Sequence, residues 1–114
     1  MNNKELAIRI GEILSSKKAE DVIILDIIEQ SSFADYFVIA TSKNERQLSA
    51  LTSETEDQLA KEGVIPKNIE GKPPSGWILM DYGDIIVNLF LPQQRTLYQI
   101  EKIWSDGELI TIDH

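Results

Sequence analysis

The chain contains no cysteine in 114 residues. Disulfides, thiolate metal sites and a cysteine nucleophile are therefore excluded, and the composition fits a reducing, cytoplasmic setting. Histidine occurs once, as His114 at the last position, where chain ends are usually poorly ordered. A histidine general base thus finds no support. Basic residues are few: 11 Lys and Arg stand against 19 Asp and Glu, a net charge of −8. The adjacent pair Lys17-Lys18 falls at a helix end, where it complements the dipole. Recognition of nucleic acid through its phosphates needs clustered cations, so this balance argues against nucleic acid as the main ligand and for a basic macromolecular surface. No apolar run approaches the roughly 20 residues of a membrane span. The start, Met1-Asn2-Asn3-Lys4-Glu5-Leu6, lacks the pattern of a signal peptide. No glycine-rich loop precedes a helix, so a backbone cradle for phosphates is missing.

What is present is ordinary for a soluble fold: 42% hydrophobic and 26% charged residues. A single domain over residues 1–114 is expected, able to bury roughly two-thirds of its unfolded surface. Residues 2–16 read as an amphipathic helix through Leu6, Ile10, Ile13 and Leu14, with Asn2 and Glu5 as a capping box. Residues 22–28 form a nearly continuous apolar strand, and residues 36–41 a second one. Ser42 followed by Glu45 is expected to cap a long helix running to Gly63, with Leu48, Leu51, Thr55 and Leu59 facing inward. Glu45, Arg46 and residues 54–57 make its solvated face. Residues 67–70 suit a short edge strand. Pro92 opens a last helix whose stripe is Leu97, Ile100, Ile103 and Trp104, with Tyr98 beside it. Asp106-Gly107 then turns the chain, and the docking of residues 109–112 is left open. The expected class is α/β: a mixed β-sheet flanked by helices.

Residues 76–92 carry the sharpest signal, two apolar runs around Asp81-Tyr82-Gly83-Asp84. Gly83 supplies the positive φ of a tight hairpin. A Tyr82-Gly83 loop would set Asp81 opposite Asp84, a like-charge pair that destabilises a sheet. On alternation, Trp77, Leu79, Asp81, Asp84, Ile86, Asn88 and Phe90 share one face, and Ile78, Met80, Ile85, Val87 and Leu89 the other. The second face is core. The first has two readings that stand side by side: a recognition surface with Trp77 as anchor, or core in which only the aspartates see water. Asp26, Asp35, Asp81 and Asp84 are the carboxylates to weigh as metal ligands of a nucleotidyl-transferring enzyme. Without a phosphate loop, solvated or turn-capping aspartates are the favoured reading. Ser31-Ser32 has no base nearby in sequence.

Several stretches together resemble the ribosomal silencing factor, or Iojap-like, family. They are residues 31–41, Glu45-Arg46-Gln47, Glu70-Gly71, the Trp-x-x-x-Asp-x-Gly-Asp pattern from Trp77 to Asp84, and Leu97-Tyr98 through Glu101 to Trp104. The resemblance implies a fold similar to a nucleotidyltransferase domain without the catalytic motif, no enzymatic activity, and no cofactor or metal. It implies docking on the large ribosomal subunit, at its ribosomal protein numbered fourteen on the face that meets the small subunit, so that subunit joining is blocked and translation falls when nutrients are scarce. A homodimer is implied for the free protein. Trp77, Met80, Asp81, Tyr82 and Asp84 are the residues the resemblance places at the partner, with Trp77 and Tyr82 as anchors and the aspartates pairing with Lys or Arg. Asn88 stands where many members have histidine. The alternative reading is a degenerate or active nucleotide-binding protein of nucleotidyltransferase type.

Overall fold

The computed structural model describes residues 1–99 and 108–110. Expectations for Ile100, Glu101, Ile103, Trp104, the Asp106-Gly107 turn, residues 111–112 and His114 lie outside the described residues. Six strands form one mixed sheet: β1 (Glu20–Asp26), β2 (Tyr36–Thr41), β3 (Asn68–Glu70), β4 (Trp77–Asp81), β5 (Ile85–Phe90) and β6 (Glu108–Ile110), in the order β3-β4-β5-β2-β1-β6. Among the described residues, only β2 and β5 pair in parallel. The connection between them contains the long helix, as a parallel crossover requires. Strand β6 adds antiparallel to β1, with Leu25 opposite Leu109, which settles how this part of the tail docks.

Helices α1 (Asn3–Ser16) and α2 (Glu45–Lys61) pack on one face of the sheet. Helix α1 carries the expected capping box: the Asn2 side chain accepts from the Glu5 N–H at 2.8 Å, and the Glu5 carboxylate accepts from the Asn2 N–H. The expected inward stripe of α2 is found, with Leu48, Leu51, Thr55 and Leu59 all buried. Its cap is different. Asn44, not Ser42, accepts from the Gln47 N–H at 2.8 Å. Ser42 is fully buried, and its N–H donates to the Phe90 carbonyl at 2.7 Å, extending the β2–β5 ladder instead. Arg9 of α1 and Glu62 just beyond α2 meet at 3.0 Å.

The sheet separates two apolar clusters. One lies under the helices and includes Ile10, Leu14, Ile24, Val38, Leu51, Met80, Val87 and Leu89. The other lies on the opposite face, with Leu25, Ile27, Phe37, Ile39, Ile86 and Phe90. Helix α3 (Pro92–Tyr98) follows β5 and ends at Gln99, whose φ of 45° is left-handed. Its inward residue is not the expected Leu97, which is 69% exposed, but Arg95. The Arg95 guanidinium donates to the Thr41 hydroxyl at 2.8 Å and the Asp21 carbonyl at 3.0 Å, both distant in sequence. A buried cation that spends its donors this way ties α3 to the sheet. No described helix is long and apolar enough to cross a membrane.

Candidate functional site

The β4–β5 hairpin forms as expected, but in another register. Trp77 pairs with Phe90, Leu79 with Asn88, and Asp81 with Ile86. The turn is Tyr82-Gly83-Asp84-Ile85, closed by the Tyr82 N–H donating to the Ile85 carbonyl at 2.9 Å. Gly83, at φ 89°, takes the first central position, where a two-residue hairpin loop of type II′ requires glycine. Asp81 and Asp84 therefore do not oppose each other, and the expected like-charge pair is absent. The displacement is two residues, so strand alternation survives it and every residue keeps its expected face.

Each tip aspartate has a local task. Asp81 accepts from the Gly83 N–H at 2.8 Å and holds the turn. Asp84 is exposed and accepts from the side-chain amide of Asn3 at 3.1 Å; the same amide nitrogen donates to Asp35 at 3.1 Å. One neutral amide thus separates two carboxylates. The Asp84 carbonyl also accepts from the N–H groups of Asp35 and Tyr36, at 2.7 and 3.1 Å. The tip is anchored to the start of β2 and to the first turn of α1. Among the described residues, no three His, Cys, Asp or Glu converge as a metal site.

Two of the expected contact residues turn toward the core. Met80 is fully buried beneath the helices and offers no surface to a partner, which corrects its assignment as a contact. Strand alternation decides this, because Met80 shares the face of Ile78 and Val87. Tyr82 is half-buried and packs against the same cluster. Its hydroxyl is buried without a hydrogen-bond partner. Burial, with the charge of Glu56 added to it, pushes this phenol from 10.0 up to about 12. It stays protonated at neutral pH.

Trp77 lies at the edge of the second apolar cluster. It is half-buried, and its ring stacks on Phe90 at 5.5 Å and meets Tyr98 at 4.9 Å. Its indole N–H donates to the Asn88 side-chain oxygen at 3.1 Å. Asn88 is 2% exposed, and its amide nitrogen has no partner. Beside the indole lies a hollow of about 200 Å³ lined by Glu70, Gly71, Ser75, Trp77, Leu79 and Tyr98. Gly71 is indispensable to this rim: at φ 91°, an added Cβ would collide with the Trp77 carbonyl oxygen. The Ser75 hydroxyl donates toward the Lys72 and Trp77 carbonyls, at 2.7 and 3.1 Å. Sequence reasoning missed Glu70, Tyr98 and Arg95 as parts of this site. Glu70 faces Leu79 across β3–β4, and Tyr98 is placed by the helix that Arg95 anchors. Those relations are tertiary; the matched stretches Glu70-Gly71 and Leu97-Tyr98 singled out two of these residues without placing them together.

Comparison with known proteins adds what the geometry cannot. A family model described as "Ribosomal silencing factor during starvation" matches residues 1–114. A ribosomal silencing factor of Bacillus subtilis is 34% identical over 113 residues, covering 99% of this chain and 96% of the relative. A mouse protein named for mitochondrial assembly of the ribosomal large subunit is 28% identical over 96 residues, covering 82% of this chain and 42% of its own length. A crystal structure of a Chromobacterium violaceum protein superposes with a TM-score of 0.88 at 31% identity, covering 100% of this chain and 94% of the other.

Proposed function

The chain belongs to the ribosomal silencing factor family, and from that premise we propose that it docks on the large ribosomal subunit and keeps the small subunit from joining. The partner in this reading is the ribosomal protein numbered fourteen on the intersubunit face. The effect is lower translation under nutrient shortage. The protein acts as one domain in the cytoplasm, forms a homodimer when free, and performs no chemistry. Its relatives' names support a ribosomal role, and the mouse relative's name supports the large subunit.

The observation that carries the docking face is Trp77. A large aromatic side chain is held in one orientation by Phe90, Tyr98 and Asn88 yet remains half-exposed. Ordered aromatics at a partly open surface are typical binding anchors, because little side-chain freedom remains to be lost. Trp77 and Asp81 lie about 13 Å apart along β4, so a partner spanning both covers the length of the strand. Asp84 adds exposed negative charge at the tip, and Tyr82 contributes only its outward edge. In a chain of net charge −8, that surface attracts a basic protein and speeds encounter. Steric exclusion by the body of the domain completes the effect.

Sedimentation tests this. Purified large subunits are expected to carry the protein down, and small subunits added afterwards are expected to remain unjoined. Failure to co-sediment, or normal joining, refutes the proposal.

A further inference from the structure

Resting on that docking role, we infer that the hollow beside Trp77 is the seat of an arginine side chain from the basic partner. Its wall is aromatic: Trp77 and Tyr98 meet at 4.9 Å with their planes 42° apart. Ring faces attract cations, and the planar guanidinium is the cation that also stacks. Leu79 supplies an apolar surface for the methylene stem. Glu70 supplies the countercharge. It pairs with Leu79 across the strands and so shares the face of Trp77. It is exposed, and among the described residues no hydrogen bond or ion pair engages its carboxylate. Among the described residues, no lysine or arginine lines the hollow.

The volume fits. About 200 Å³ leaves room for a guanidinium with its adjoining methylenes. The hollow is also formed in advance. Gly71 is locked against the Trp77 backbone, Ser75 holds the rim, and the indole is fixed by Asn88 and Phe90. Arg95, through Thr41 and Asp21, keeps α3 and therefore Tyr98 in place. The tip aspartates are poorer candidates for this cation, because Asp81 is engaged by the turn and Asp84 by Asn3.

The test uses the full chain labelled with ¹⁵N and reads the Trp77 indole N–H resonance, assigned by its loss in Trp77→Phe. The probes are N-acetyl-arginine methylamide and its citrulline counterpart, which has the same shape without the charge. A saturable shift with the arginine derivative is expected, with citrulline at least about tenfold weaker and Glu70→Gln reducing arginine affinity roughly three- to tenfold. Equal responses to arginine and citrulline, or none to either, overturn the seat. The same Glu70→Gln and Tyr98→Leu variants are then sedimented with large subunits, and both are expected to bind more weakly. If wild type takes the arginine derivative but not large subunits, the docking role falls and the seat has no such partner. If large subunits bind wild type and Glu70→Gln alike, the docking role stands and the arginine seat is overturned.

Discussion

Gly71→Ala isolates the close approach that shapes the hollow, and Gly63→Ala is its control. The two glycines have similar backbones, at φ 91° and 82°. An L-residue in that region costs about 1–2 kcal/mol, offset by about 0.4–1 kcal/mol because the unfolded chain also loses freedom. Nothing lies within 4 Å of a Cβ at Gly63, so the Gly63→Ala cost is about 0–1.6 kcal/mol. At Gly71 the methyl meets the Trp77 carbonyl oxygen, and sits 3.2 Å from the Trp77 carbonyl carbon and 3.4 Å from the Ile78 Cα. These are backbone atoms of β4 at residues paired with Phe90 and Leu89 of β5, and they yield only at the expense of that ladder. Overpacking of this kind adds about 1–3 kcal/mol, for a total of about 1–4.6 kcal/mol. Urea unfolding followed by circular dichroism measures both variants. In thermal unfolding the difference is roughly 4 °C for each kcal/mol. Equal costs at the two positions, within about 0.5 kcal/mol, would show that the rim has room to relax and that the hollow is not rigid.

Three further outcomes are expected. Tyr82→Phe removes a buried hydroxyl without a partner, so stability at neutral pH is unchanged or higher by up to about 1 kcal/mol. The folded phenol titrates near 12 against 10.0 when free; its contribution is therefore intact below pH 10 and lost as pH rises from 10 through 12. Wild type accordingly loses more stability across that window than the Phe variant, and parallel urea midpoints from pH 9 to 12 would contradict the burial. Asn44→Ala lowers stability by about 1 kcal/mol and releases hydrogen-exchange protection at the Gln47 amide; Ser42→Ala leaves that amide protected, and the opposite pattern would restore Ser42 as the cap. Asp84→Lys weakens binding to large subunits more at low salt than at high salt, measured by sedimentation, and a salt-independent loss would exclude charge pairing at the tip.

Local patterning carried much of the architecture into view. The inward stripe of α2, the capping box of α1 and the bounds of β2 follow from period and cap chemistry that neighbouring residues largely determine. The hairpin faces were legible for the same reason. The hairpin register was not, because Gly83 satisfies a two-residue loop whether it comes second or first, and the choice is made by Asp35 and Tyr36 donating to the Asp84 carbonyl. Helix α3 was misread at Leu97, and Arg95 was passed over, because an arginine belongs inside only when distant acceptors such as Thr41 wait there. The Asn44 cap displaced Ser42 because β2 claims the Ser42 N–H for pairing with Phe90. Each miss lies where a long-range hydrogen bond outweighs a local preference.

The same long-range bonds change which part of the site bears charge recognition. An opposed Asp81–Asp84 pair would have been strained alone and relieved by a partner cation. The observed tip has no such strain, because the turn amide and the shared Asn3 amide already occupy those carboxylates. A cation arriving there gains Coulomb energy in high dielectric and competes with existing hydrogen bonds, which keeps the gain small. Glu70 differs in both respects. Its carboxylate has no competitor among the described residues, and the rings of Trp77 and Tyr98 beside it can shield a bound guanidinium from water. Charge pairing strengthens as water is excluded, so the same unit of negative charge does more at the hollow than at the tip. In the proposed docking, these differences leave the tip aspartates to steer a basic partner toward the sheet edge and the hollow at that edge to hold it.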